Sequence, residues 1–485
     1  IWGRDYYHYR YTLAGSTFQS FDGNGTAEIT LTAVDNTPDA RTSTESWLIY
    51  EDSDGPVFSL MNISASNGSA HVGIGQTVTL SFNVSDGSFE TGFDPTSLSG
   101  TVAGIALSSG DFVDGGGGSY SVEVDLAAAT QGSGALEVSI TAEDYIGNPS
   151  SLYESDFEPI TFYEGTPSIT DVSIAADVAP ADAAKPGDSI TLTITADQDL
   201  EPTALVVEIA GVSATIGGSG TTLTAAATIP GGYTTSPVDF EIISFENMVG
   251  TTGTLPAVPT ATTDGTEVDL YVGPPTLDTR TVTTAGGDRY AASGETITVT
   301  IVSSQPLDHG PTVDIGGNSV SATGSGTSWT ATTSDPSDGE GTVALSFSDI
   351  ESIVGTMASP GTVTGVTSGS LAVYYPGKPT LTGVSMTLYK AGADPAEGDT
   401  IVLDFSVVNG RILDADPTVT FSSGGSLTPV VKDGGTSAPD YKYEYTLTTG
   451  DLSLVDPISY TIDFTDAAGT AGDRVAATST VDLTP

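Results

Sequence analysis

The strongest constraint on this chain is an internal repeat of a little over a hundred residues. A Gly- and Pro-containing junction follows an aromatic residue four times, and its glycines, Gly55, Gly165, Gly273 and Gly377, lie 110, 108 and 104 residues apart. A second signature begins 20 to 22 residues after each junction glycine, at Gly75, Gly187, Gly294 and Gly398. A register kept this closely indicates consecutive copies of one structural unit.

Each second signature opens a segment in which apolar and polar residues alternate. Val78, Leu80, Phe82 and Val84 share one face of the first segment, and the later copies repeat this pattern. Such alternation is typical of a half-buried antiparallel strand. Equivalent strands are therefore expected near 77–84, 189–195, 296–302 and 400–407. Several short strands in about 105 residues predict an all-β fold in which each copy is an immunoglobulin-like two-sheet sandwich.

The repeat divides the chain into five predicted segments: 1–54, 55–164, 165–272, 273–376 and 377–485. We call the four complete copies modules 1 to 4 and expect them to form an elongated row. Residues 1–54 match only the late part of a module, since Ala27–Asp35 corresponds to a late strand with Ile29, Leu31 and Ala33 on one face. This segment is expected to be half a module, completed by upstream residues or by a neighbouring subunit.

The strand openings Gly294-Glu295-Thr296-Ile297 and Gly398-Asp399-Thr400-Ile401, with the turn Asp144-Tyr145-Ile146-Gly147-Asn148, resemble tandem bacterial immunoglobulin-like (Big-type) modules. The resemblance implies a β-sandwich fold and an extracellular or cell-surface location. Proteins of this kind include adhesin stalks, surface-layer proteins and extracellular filaments. The resemblance also implies calcium between adjacent modules of a stiff stalk.

Composition excludes several functions. Lys and Arg number 12 against 62 Asp and Glu, so the net charge of −50 opposes binding to nucleic acid or anionic lipid. No apolar run approaches the roughly 20 residues that a membrane helix needs, so no direct membrane insertion is expected. The chain has no Cys, and its three histidines, His8, His71 and His309, lack metal-site spacing. We therefore expect no enzymatic activity.

Cation binding is the remaining chemical candidate, and calcium is the one cofactor considered. Glu51, Asp52 and Asp54 cluster in the first junction and could supply the oxygen ligands that calcium prefers, or they could form a solvated acidic linker. A carboxylate also ends the late strand in five copies, at Asp35, Asp144, Glu246, Asp349 and Asp466. This carboxylate is interpreted as a cap on the following turn, with a calcium role for Asp144 as the alternative.

Four Asn-x-Ser/Thr sequences provide candidate glycosylation sites at Asn24, Asn62, Asn67 and Asn83. The parity of its strand places Asn83 on the outward face, where a glycan would not enter the core. Bound glycans are thus a further candidate partner.

The preferred functional hypothesis is a non-enzymatic extracellular structural protein. It would be a segment or subunit of a surface layer, sheath or filament, associating with neighbouring copies of itself. The alternatives are the stalk of a large adhesin and an accessory, non-catalytic region of a secreted polysaccharide-degrading enzyme.

Overall fold

The computed structural model describes residues 26–34, 38–50, 54–85, 92–422, 426–427, 429–435, 440–453 and 457–478. These residues form almost only β-strands, which confirms the all-β prediction. The helical elements within the described ranges are three-residue 3-10 turns, at Ser109–Asp111, Leu126–Ala128, Glu154–Asp156, Val408–Gly410 and Asp451–Ser453. Among the described residues, no helix has the length and apolar character needed to span a membrane.

The N-terminal segment contains an antiparallel hairpin of β1, Thr26–Val34, and β2, Thr42–Tyr50. The strand predicted over Ala27–Asp35 coincides with β1, apart from Asp35, which lies outside the described residues. Leu31 and Val34 on β1 are exposed.

Module 1 contains two four-stranded sheets and one small sheet. The large sheets have the orders β3-β5-β9-β8 and β12-β11-β6-β7, and the small one the order β10-β13-β4 with β13 parallel to β4. These strands are β3 Val57–Ala65, β4 His71–Gly73, β5 Thr77–Ser85, β6 Phe93–Val102, β7 Ile105–Leu107, β8 Val113–Gly116, β9 Ser119–Asp125, β10 Gly134–Ala135, β11 Val138–Asp144, β12 Pro149–Tyr153 and β13 Thr161–Tyr163. The strands of the two large sheets can be lettered A to G in chain order, with β7 left out as an extra edge strand. The sheets then follow the A-B-E-D and G-F-C orders of immunoglobulin-like sandwiches.

Module 2 repeats this arrangement with shorter strands. Its sheets are β14-β16-β20-β19, β18-β17-β21 and the parallel pair β15-β22. The strands are β14 Ile169–Ala176, β15 Ala183–Ala184, β16 Ser189–Ala196, β17 Val206–Ile209, β18 Val212–Ser213, β19 Thr215–Ser219, β20 Thr222–Thr228, β21 Phe240–Ser244 and β22 Asp269–Leu270.

Modules 3 and 4 have the same strand orders. Module 3 forms β23-β25-β29-β28, β27-β26-β31-β32 and β24-β33-β30, and module 4 forms β34-β35-β39-β38 and β37-β36-β40-β41. Module 3 comprises β23 Leu277–Thr284, β24 Tyr290–Ala292, β25 Ile297–Ser303, β26 Thr312–Ile315, β27 Asn318–Ser321, β28 Thr323–Ser325, β29 Ser328–Thr333, β30 Gly341–Thr342, β31 Leu345–Ser348, β32 Val363–Thr364 and β33 Val373–Tyr375. Module 4 comprises β34 Leu381–Tyr389, β35 Thr400–Val407, β36 Thr418–Ser422, β37 Ser426–Leu427, β38 Val430–Asp433, β39 Asp440–Thr446, β40 Ser459–Asp463 and β41 Val475–Thr478.

The chain forms two compact units. The first contains residues 1–175, 189–230 and 238–267, and the second contains residues 176–188, 231–237 and 268–485. Module 1 and the two larger sheets of module 2 lie in the first unit. The β15-β22 pair and modules 3 and 4 lie in the second.

The second strand of each sandwich confirms the predicted alternation. β5, β16, β25 and β35 occupy the same place in their sheets and match the predicted strand positions. Their apolar side chains, such as Leu80, Leu192 and Leu403, are fully buried, while intervening Thr and Ser residues of β5 and β16 stay partly exposed. Each buried side chain of this size contributes roughly 1.5–3 kcal/mol to stability, which is why the pattern specifies the sheet face.

Candidate functional site: the junctions between modules

One buried turn recurs in all four modules, at or just after the end of strands β11, β21, β31 and β40. Its first residue, which we call the cap, is Asp144, Asn247, Ser352 or Asp466, and each cap is buried. The side-chain oxygen of the cap accepts the N–H of the residue four positions later, at 2.9, 2.8, 3.1 and 2.8 Å respectively. The cap carbonyl accepts the N–H of a glycine three positions later. That glycine has φ between 71° and 94° in every copy, a conformation that favours glycine.

The turn-cap interpretation is confirmed for Asp144 and Asp466 and wrong for two other residues. Asn247 and Ser352, rather than Glu246 and Asp349, occupy the cap position. An amide or hydroxyl oxygen accepts a backbone N–H as a carboxylate does, so Asn and Ser can occupy the cap position as well as Asp. The sequence signal is Asp/Asn/Ser-x-x-Gly-Asn/Thr, which all four copies contain. Asp35 lies outside the described residues.

The carboxylate of Asp144 is fully engaged by its own turn. Its Oδ1 accepts the N–H groups of Ile146 and Asn148, both at 2.9 Å, and its Oδ2 accepts Asn148 Nδ2 at 2.8 Å. Burial alone would raise the pKa of Asp144, but the hydrogen bonds, led by those of Asn148, outweigh burial and lower it. This geometry favours a structural role over a calcium ligand.

Of the other predicted calcium ligands, Asp54 alone lies among the described residues. Glu51 and Asp52 lie outside the described residues, and Asp54 is exposed. Across the described ranges, no three or more His, Asp or Glu side chains form a group that could hold a metal ion. Calcium at the first junction stays a prediction.

The three later junctions each contain a second buried polar residue, which we call the clasp. We name them junction 1–2, with linker 164–167, junction 2–3, with linker 272–275, and junction 3–4, with linker 376–379. The clasps Gln198, Gln305 and Arg411 lie in the loop after the second strand of modules 2, 3 and 4 and are buried. Each donates to a linker carbonyl: Gln198 to Glu164 at 3.1 Å, Gln305 to Gly273 at 3.1 Å and Arg411 to Gly377 at 2.5 Å. The clasp thereby fixes the linker to the module that it enters.

Clasp and cap interact in two of these three modules. In module 2, Asn247 Nδ2 donates to Gln198 Oε1 at 2.7 Å. In module 4, Arg411 Nη1 lies 3.0 Å from Asp466 Oδ2 in a buried ion pair. In module 3, Gln305 Oε1 has no hydrogen-bond partner and is alone in this among the buried side-chain polar atoms of the described residues. An unpaired buried oxygen costs about 1–3 kcal/mol, so the module 3 clasp is the weakest.

Junction 1–2 is closed by aromatic and polar contacts. Tyr163 at the end of β13 donates its hydroxyl to Asp199 Oδ2 at 2.8 Å, and its ring stacks on His71 at 5.7 Å. Burial, followed by the hydrogen bond to Asp199, raises the pKa of Tyr163 above its ordinary value. At Gly73 the two modules approach so closely that an added Cβ would lie 3.1 Å from Val249 Cγ2.

Junction 2–3 uses a lysine. Lys185, at the position equivalent to Gly73, donates its Nζ to the carbonyl of Val354 in the turn of module 3. Pro306 stands where module 2 has Asp199, and it has no side-chain carboxylate to accept a hydrogen bond from the preceding module. The lysine contact therefore takes the place of the tyrosine contact seen at the neighbouring junction.

Junction 3–4 is built around Arg411. Its guanidinium pairs with Glu340 of module 3 at 2.9 Å and lies 4.7 Å from the centroid of the Tyr375 ring. Ile412 N–H donates to Tyr375 Oη at 3.2 Å. The hydrogen bond from Arg411 lowers the pKa of Glu340. Burial raises the pKa of Asp466, although Arg411 and the Thr470 N–H oppose that rise.

The remaining predicted site residues lie apart from the junction contacts or outside the described ranges. Asn62 and Asn67 are exposed, and Asn83 faces outward between buried neighbours, whereas Asn24 is not among the described residues. Asn67 Nδ2 donates to the carbonyl of His71 at 2.9 Å and to Gln76 Oε1 at 3.2 Å, and a glycan on this nitrogen would leave one N–H for these two bonds. His309 lies 3.9 Å from both Asp349 and Glu351.

Sequence reasoning missed the clasps, because a single Gln or Arg in a loop has no recognisable pattern. Their signal is positional: each stands 11 to 13 residues after the Gly that opens the second strand, and each precedes a buried leucine by two residues. The geometry defines a class of protein, an array of immunoglobulin-like sandwiches whose linkers are held by buried polar contacts.

No known protein family and no curated protein matches this chain. Among solved structures, the chain is similar to the full extracellular region of plexin A4, with 9% identity over 82% of this chain and 36% of that chain and a TM-score of 0.22. It is also similar to the fibronectin(III)-like modules of Clostridium thermocellum CbhA, with 14% identity over 40% of this chain and 91% of that chain and a TM-score of 0.19. The chain thus spans about a third of the plexin A4 region that it matches. The fold assignment rests on the strand orders described above.

Proposed function

We propose that this chain is a non-enzymatic, extracellular structural segment, whose modules transmit force or set spacing in a surface layer, sheath or filament. One observation carries the proposal: at three successive junctions, side chains from both modules and the linker backbone are joined by polar contacts with buried clasp residues. Domains joined by exposed linkers move relative to one another by default, so contacts of this kind favour a fixed arrangement of neighbouring modules.

The surface chemistry supports the same proposal. A net charge of −50 keeps a large extracellular assembly hydrated and disfavours contact with anionic polymers. The three histidines are dispersed, and the chain lacks cysteine, so nucleophilic or transition-metal chemistry has few candidates. The module type that the sequence resembles, the bacterial Big-type repeat, serves such architectural roles.

Electron microscopy of native particles tests the proposal. A lattice or fibre in which the repeat spacing equals that of the modules would support a surface layer, sheath or filament. Isolated strings attached at one end would instead support the adhesin-stalk alternative. Reproducible turnover of a peptide, ester, glycoside or nucleotide substrate that is lost on changing one His or one Asp pair would contradict the non-enzymatic assignment.

Stiffness is tested at the junctions themselves. A Val249→Arg variant places a charged side chain against Gly73 and should open junction 1–2, with faster protease cleavage of linker 164–167. Val178→Arg is the matched control, because Val178 is an exposed valine of the same module. Equal cleavage in the two variants would show that the junction contacts do not hold the modules together.

A further inference from the structure

The cap turn of module 1 carries two exposed apolar side chains. Tyr145 is 64% and Ile146 is 57% exposed, although both belong to the same buried-cap turn as in the other modules. Tyr145 is held in place by its N–H, which donates to the carbonyl of Gly92 at 3.1 Å. An exposed Tyr-Ile pair on a fixed turn is a surface of the kind that marks a protein contact.

The equivalent residues of the later modules show what this turn normally contacts. In module 2, Val249 packs against Gly73 of the preceding module. In module 3, the carbonyl of Val354 accepts from Lys185, which stands at the position of Gly73 in its own module, and the Val354 side chain is buried. At both junctions, the third residue of the turn therefore meets the end of the same short strand of the preceding module.

We infer that Tyr145 and Ile146 form a docking surface for one occupant, the segment of this chain that contains the β1–β2 hairpin. This inference deepens the proposed function, since it extends the closed junctions to the N-terminal side of module 1. Ile146 stands at the position of Val249 and Val354, and its larger side chain covers more of a facing strand than either valine.

Chain connectivity places that occupant at this surface. β2 ends at Tyr50, five residues before Gly55. Five extended residues span about 18 Å at most, so the end of the hairpin lies within that distance of Gly55. Gly55 itself lies against the strand that follows the turn, because an added Cβ would be 2.5 Å from the carbonyl oxygen of Pro149 and 2.7 Å from Ser150 Oγ. Gly55 thus lies against the strand that follows the exposed pair.

The test measures the accessibility of tyrosines in the full-length protein by hydroxyl-radical footprinting. We expect Tyr145 to react several-fold more slowly than Tyr153, which is 51% exposed in the same module. Ile146→Arg should restore the reactivity of Tyr145 and speed protease cleavage of linker 51–54 several-fold. Val113→Arg, a matched change at a 65% exposed valine of module 1, should do neither. Equal reactivity of the two tyrosines would overturn the inference.

Two further outcomes identify what has failed. Protection of Tyr145 that disappears on dilution would assign the surface to a second copy of the chain and overturn the same-chain occupant. If Val249→Arg opens junction 1–2 while Ile146→Arg leaves linker 51–54 unchanged, only this inference fails. If neither variant changes cleavage of its own linker, both this inference and the proposed structural role of the junctions are wrong.

Discussion

Replacing Arg411 by Gln removes the one charge that balances the buried carboxylate of junction 3–4. The side chain of Arg411 is 5% exposed and that of Asp466 is fully buried. In the variant, Asp466 keeps its turn hydrogen bonds but loses its cation, and Glu340 keeps only the hydrogen bond from Asn409 of module 4, at 3.2 Å. Removing one member of a buried ion pair costs about 3–5 kcal/mol, because the other charge stays desolvated. We expect a loss of this size at neutral pH.

The loss should shrink as the pH falls. Burial raises the pKa of Asp466 in the native protein, and removing the Arg411 charge raises it further. A carboxyl whose folded pKa exceeds its unfolded value binds protons more readily when folded, so protonation favours the folded state. The destabilisation by Arg411→Gln is therefore greatest above the raised folded pKa of Asp466. It decreases as the pH falls through that value towards the ordinary pKa of Asp.

A second variant separates charge balance from shape. Arg411→Gln combined with Asp466→Asn reproduces the neutral pair of module 2, in which Asn247 donates to Gln198 at 2.7 Å. The double variant should recover most of the stability that the single variant loses, since no unpaired charge is left. Its stability should also lose the pH dependence assigned to Asp466. The salt bridge to Glu340 is not restored, so recovery is incomplete.

Hydrogen exchange of the Thr470 amide measures the opening of this turn in the full chain, because that N–H is bound by Asp466 Oδ1 at 2.8 Å. A loss of 3–5 kcal/mol corresponds to exchange that is faster by about two to four orders of magnitude. The Thr251 amide, bound in the same way to Asn247, is the internal control. If Arg411→Gln leaves Thr470 exchange unchanged, or if the double variant is as labile as the single one, the buried-clasp reasoning is wrong.

Three other predictions test the remaining contacts. Ser352→Asn should stabilise module 3 by about 1 kcal/mol in chemical denaturation, because the amide supplies the donor that Gln305 Oε1 lacks, and no gain would contradict that assignment. Gly472→Ala should destabilise module 4 by about 1–3 kcal/mol, since its Cβ would lie 2.3 Å from the Phe464 ring, and adding Phe464→Ile should reverse part of the loss. Millimolar calcium should slow protease cleavage at linker 51–54 more than at the linker of junction 3–4, and equal effects at both linkers would mean that the acids of the first linker are only solvated.

The sandwich could be predicted from the sequence because apolar and polar residues alternate regularly along its strands. Alternating residues such as Val78, Leu80 and Phe82 each bury an apolar side chain on one sheet face, and a shift by one residue would expose all of them. The repeat then supplies four independent copies of the same pattern. The strand positions near 77, 189, 296 and 400 followed directly from this spacing.

The cap and clasp residues were harder to predict because a cap needs only an acceptor oxygen and a clasp needs only a donor, and several residue types supply each. Asn247 and Ser352 perform the turn-capping that Asp144 performs, yet neither carries a charge. The clasps are still less visible, since Gln305 and Arg411 share no chemistry except the ability to donate to a linker carbonyl. Position relative to the repeat identifies both sets, whereas residue identity does not.

The differences among the junctions favour the existing order of the modules. Lysine at the position of Gly73 would require Val249 to shift, because a Cβ there would lie 3.1 Å from Val249 Cγ2. Module 4 placed after module 1 would lack the acid that Glu340 supplies to Arg411, so a buried guanidinium would lose one of its two carboxylates. Tandem repeats of similar modules are prone to misassembly between neighbours, and mismatched contacts of this kind oppose it. The same fold can therefore be repeated along one chain while the contacts at each junction favour its own pair of modules.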